Sequence, residues 1–128
     1  GAKDDFFSII SSAKEAAQHI EDLLELFGKS DQNLSDEVID LLNRNGVSTE
    51  CFNSIPGYEN PLVNRNWESH NLGSVNWMLR LKIDLVHIEV KYIEEYLKTN
   101  SKDIAAKHRL DNVKAELASA AQNAAHAD

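Results

Sequence analysis

The chain has 128 residues with 13 Lys+Arg against 21 Asp+Glu, a formal charge of -8, one Cys and 42% hydrophobic residues, the profile of one soluble domain spanning 1–128. The single Cys51 excludes an intrachain disulfide and a Cys-based zinc site, and the compartment stays open, with a reducing one such as the cytoplasm slightly favoured. There is no apolar run of about 18 residues to cross a membrane, and the acidic balance argues against nucleic-acid backbones and anionic membranes as partners. The start, Gly1-Ala2-Lys3-Asp4-Asp5, lacks the basic-then-apolar layout of a signal peptide, and the missing initiator Met suggests a processed or a recombinantly expressed chain, from which an original targeting segment could have been removed.

Phe6, Ile9 or Ile10, Ala13, Ala16 or Ala17, Ile20, Leu23 or Leu24 and Phe27 recur at spacings of three and four, which predicts an amphipathic helix from Asp4 to Phe27 ended by Gly28. A short helix follows. Ser35 is its expected N-cap, Asp36 and Glu37 suit its first turn, Leu34 is placed to staple Ile39, and Asn45-Gly46 is a favourable stop.

From Gly46 to Gly73 the helical period fades, and this stretch holds both prolines, Pro56 and Pro61. Ser48 or Thr49 is positioned to cap a single turn through Phe52. The remainder is too long for an ordinary helix connection, and such segments are usually functional or poorly ordered. Phe52, Tyr58, Trp67 and Trp77 lie in or beside it, so it is expected to fold back and help cover the core.

A central helix from Ser74 to Lys98 carries two apolar stripes, Leu79, Ile83, Val86, Val90, Ile93 and Leu97 on one side and Trp77, Leu81, Leu85, Ile88, Tyr92 and Tyr96 on the other. After Thr99-Asn100-Ser101 a final helix is expected from Lys102, with Ala106, Leu110, Val113, Leu117, Ala120 and Ala124 facing inward. The prediction is an all-α, single-domain bundle of four or five helices with a long irregular connection at 46–73.

The charge is not spread evenly. Residues 1–60 hold 4 Lys/Arg and 12 Asp/Glu, whereas residues 61–128 hold 9 of each. The plain explanation of this acidic half is a solvated helix face, and the sharper one is a docking surface for a basic partner.

Two strings invite an enzymatic reading. Arg65-Asn66-Trp67-Glu68-Ser69-His70 just precedes the central helix and resembles the R-x4-H motif of HEPN domains, helical folds that include many metal-independent ribonucleases. The resemblance implies Arg65 and His70 as a catalytic pair, the cation stabilising charge on a scissile phosphate and the imidazole moving a proton, with Asn66 as polar companion. Read without it, Arg65 pairs with a nearby carboxylate and His70 is a loop or capping residue. Asp22-Leu-Leu-Glu25 and Glu37-Val-Ile-Asp40 resemble the paired acidic motifs of MazG-like nucleotide pyrophosphohydrolases, which implies a Mg2+ site across two facing helices. Asp36 and Glu37 are also explained by their place at a helix N-terminus.

The other candidates have ordinary explanations. His19, His87, His108 and His126 form no metal-binding pair, and Cys51 suits a small buried role. Trp77 reads as core, while Trp67 serves equally well as an anchor or as cover. The residues therefore favour a small acidic protein-binding module of the inhibitor, immunity or adaptor type. It would use Glu21, Asp22 and Glu25, or the aromatic loop with Tyr58 and Trp67, to engage a protein partner, with no cofactor and no metal. The heptad-like spacing is also compatible with a homodimer.

Overall fold

The computed structural model describes residues 1–28, 36–47, 50–60 and 74–127, with side chains at all of these except 36–38, 74–78 and 123–127. The chain is all-α, with helices α1 (Ala2–Leu26), α2 (Asp36–Arg44), α3 (Ser74–Thr99) and α4 (Ile104–Ala127), and a 3-10 helix at Glu50–Ser54. No strand occurs among the described residues, and the element set is consistent with a small helical bundle. No helix among them is long and apolar enough to cross a membrane. The internal contacts divide between two compact units, Gly1–Leu81 and Lys82–Asp128.

In the first unit, α1 buries Phe6, Ile10, Ala13, Ala17, Ile20, Leu23 and Leu24. The spacing decides between the neighbours left open by the sequence: Ile10 and Ala17 point inward rather than Ile9 and Ala16, and both Leu23 and Leu24 are buried. Phe27 departs from the expected stripe. The helix stops one residue before it, Gly28 takes a φ of 65°, and Phe27 remains 47% exposed.

The end of α2 is a Schellman motif. Val47 N–H donates to the Leu42 carbonyl at 3.0 Å and Gly46 N–H to that of Asn43 at 3.1 Å, which requires the left-handed φ of 72° found at Gly46. Leu42 and Val47, the flanking pair of that motif, are both buried. The 3-10 helix lies against α1 and brings in Phe52, which is fully buried, followed by buried Ile55. Pro56 and Gly57 then form the corner of a turn closed by the Tyr58 N–H on the Ile55 carbonyl at 3.2 Å, with Gly57 at a φ of 72° as a type II turn demands. Thus the described part of the long connection does fold back with its aromatic inward. The caps expected from Ser35, Ser48 and Thr49, and the staple from Leu34, lie outside the described residues.

Along α3, burial of the two stripes is unequal. Val86, Val90 and Ile93 are buried on one and Leu81 and Leu85 on the other, while Ile88, Tyr92 and Tyr96 are half-buried. In the second unit α4 opens two residues later than the sequence suggests, because its cap is Asp103: Oδ1 accepts the Ala106 N–H at 3.0 Å. The other carboxylate oxygen accepts the Tyr96 hydroxyl at 2.7 Å, so one side chain both starts α4 and ties it to the last turns of α3. Ala106 and Val113 are buried on α4, and Leu110, Leu117 and Ala120 are half-buried.

Candidate docking face on the first helix

Helical periodicity that turns Ile10, Ala17 and Leu24 inward must turn the residues between them outward. Asp4, Ser11, Glu15, Gln18 and Asp22 follow one another at spacings of three, four or seven and are all exposed. Glu25 is also exposed, and Glu21 on the flank is half-buried. Within this face Gln18 Nε2 donates to Asp22 Oδ1 at 2.9 Å, fixing the carboxylate one turn from the amide.

The two ends of α1 treat negative charge differently. Asp4 and Asp5 lie in the first turn, where the partial positive charge of the helix terminus favours them. Asp22 and Glu25 sit at the opposite end, where the carbonyls present partial negative charge, and no basic residue occupies that last turn. The local physics of the helix thus accounts for the first pair and opposes Glu25, while Asp22, just before the last turn, is held by Gln18.

Leu26 follows Asp22 by four residues and continues the same outward line. It is 78% exposed and places apolar surface one turn beyond Asp22, and Phe27, next in sequence, is 47% exposed. Sequence periodicity missed this pair because Phe27 fits the inward stripe. The available signal was the register of Leu26 with Asp22 and Glu15, on the polar side.

Tyr58 is half-buried in the Pro56-Gly57 turn, and Arg65, Asn66, Trp67 and His70 lie outside the described residues. Of the two acidic pairs, Asp22 and Glu25 share the exposed side of α1, while Asp40 on α2 faces Arg44 with 3.1 Å between carboxylate and Nε. The side chains of Asp36 and Glu37 lie outside the described set. Among the described residues no group of three or more His, Cys, Asp or Glu side chains is placed to hold a metal ion. His19, His87 and His108 are exposed on three different helices.

A shallow recess of about 190 Å³ separates α1 from the 3-10 helix, lined by Ser8, Ile9, Ser12, Cys51 and Ser54. Cys51 is half-buried there, and desolvation raises its thiol above the ordinary value against the opposing effect of backbone hydrogen bonds at Phe52 and Cys51. A thiol so shifted stays protonated at neutral pH, which is the reverse of nucleophile activation.

The second unit contains a polar contact that periodicity did not reveal. Glu89 on α3 is 1% exposed, and its Oε2 accepts from Arg109 Nη2 at 2.7 Å and Nε at 3.1 Å. Both donors converge on one oxygen, and the contact joins α3 to α4 within that unit. No protein-family model, curated protein or solved structure matches the chain.

Proposed function

We propose that the chain is a small acidic protein-binding module, of the inhibitor, immunity or adaptor type, that engages a basic partner through the outer face of α1. The observation that carries this reading is the exposure of Asp22 and Glu25 toward the C-terminal end of the helix, where the macrodipole disfavours Glu25 and no cation in the last turn offsets it. Side chains held where they reduce stability are explained by a role outside the fold, because sites of interaction are where proteins trade stability for function. Glu21 on the flank and the acidic excess of residues 1–60 extend the same field, which steers a cationic partner toward this face.

The test uses a partner captured from the native source, with affinity measured by calorimetry against salt. The complex is expected to weaken steeply with ionic strength and to weaken again in the Glu21→Lys/Asp22→Lys/Glu25→Lys chain. Reversal at Glu25 alone, the carboxylate in the last turn of α1, should raise the stability of the isolated protein by about 0.3–1 kcal/mol. A complex indifferent to both salt and charge reversal overturns the reading.

A further inference from the structure

Three large apolar side chains are highly exposed among the described residues, Leu26 at 78%, Phe27 at 47% and Ile104 at 66%. Isolated exposed apolar residues are common on protein surfaces and carry no message. Leu26 and Phe27 differ from Ile104 in being adjacent and in lying next to exposed Asp22 and Glu25. We propose that this end of α1 seats a basic amphipathic helix of another protein, whose apolar residue covers Leu26 and Phe27 while Lys or Arg side chains one turn away meet Asp22 and Glu25. The proposal rests on the charge-based reading above and adds to it an apolar anchor and the form of the partner segment.

Charge selects the occupant. A second copy presenting the same face would set carboxylates against carboxylates, and an anionic lipid surface would be repelled in the same way. A cationic segment gains from the field, and only one with an apolar residue also removes Leu26 and Phe27 from water. Helical form follows from spacing. Glu15, Asp22 and Leu26 make a ridge along α1 with one-turn intervals of about 5.4 Å near its end, and a facing helix offers apolar and basic groups at the same interval. Exposed hydrophobic surface supplies the slow dissociation, while the carboxylates speed encounter.

Two synthetic probes separate these contributions: a short Leu–Lys amphipathic helical peptide and an oligolysine of equal charge, each titrated against the full chain by calorimetry. The Leu–Lys peptide is expected to bind roughly tenfold or more tightly than oligolysine, equivalent to about 1.4 kcal/mol. In Leu26→Ser/Phe27→Ser that preference should disappear while oligolysine binding and its salt dependence stay unchanged. Ile104→Ser, which removes an equally exposed apolar residue elsewhere, should alter neither probe. All three positions are exposed, and an unchanged helical circular dichroism spectrum verifies that the variants fold.

Equal affinity for the two probes, a preference that survives Leu26→Ser/Phe27→Ser, or an equal loss in Ile104→Ser overturns the anchor while leaving the charge-based reading intact. Dimerisation of the free chain abolished by Leu26→Ser would make a second copy the occupant instead and overturn the proposal. Failure of both probes to bind, or binding insensitive to salt, removes the charge-based reading together with the anchor, and failure of the Leu–Lys peptide alone removes the anchor.

Discussion

Glu89 has almost no access to water, while Arg109, its partner, is 37% exposed. The two ends of this ion pair are therefore unequal in what their removal costs. Taking away the guanidinium leaves a carboxylate in a buried position without the cation that meets it at 2.7 Å, whereas taking away the carboxylate leaves a guanidinium that can turn toward solvent. Arg109→Leu is expected to destabilise the protein by about 3 kcal/mol, at the lower end of what breaking a buried pair costs because the arginine is partly hydrated. Glu89→Leu/Arg109→Leu should recover most of that loss, since an apolar pair has no charge to strand. Urea denaturation of the single and double variants checks this. If the double variant loses as much as Arg109→Leu or more, packing around the pair governs the site rather than its charge.

At the level of the helices, the residues whose roles are set within a few positions were the ones a sequence could disclose. The inward stripe of α1, the stop at Asn45-Gly46 and the extent of α3 follow from periodicity and from the left-handed backbone that glycine accepts. The cap of α4 was displaced because Thr99, Asn100 and Ser101 are all capable caps, and only the position of Tyr96 shows why Asp103 takes the role. Glu89 was hidden for a related reason: its partner is 20 residues away on another helix, and a glutamate within α3 looks like part of a solvated face. The acidic side of α1 was legible, but its apolar end was not, since a periodic stripe does not announce that the helix stops before Phe27. The Arg65 to His70 string lies outside the described residues.

The double role of Asp103 makes a prediction at the same scale. Asp103→Ala removes both the cap and the acceptor of the Tyr96 hydroxyl, at an expected cost of about 1–2 kcal/mol. In the Tyr96→Phe background the same change should cost less, because the Tyr96 contact is already gone. A double-mutant cycle read by thermal unfolding gives the coupling between them. Full additivity would mean that the 2.7 Å contact contributes nothing to joining α3 and α4.

Across the whole molecule the charge of -8 resides in residues 1–60, with Asp22 and Glu25 at the unfavourable end of α1. Like charges concentrated in one part of a chain repel each other in the folded state, and added salt screens that repulsion over a distance of roughly 8 Å at physiological ionic strength. Raising sodium chloride from low to moderate concentration should therefore raise the midpoint of thermal unfolding. Salt also screens the attraction between this face and a cationic probe, so binding should weaken over the same range. The two responses have opposite signs and a common origin in the same carboxylates. Asp22→Asn/Glu25→Gln should accordingly flatten both, giving a fold less strengthened by salt and a complex less weakened by it. Unfolding and titration measured across one salt series decide the matter: if the variant changes the binding response and leaves the stability response untouched, these carboxylates exert no strain on the helix that carries them, and their position ceases to be evidence of a docking role.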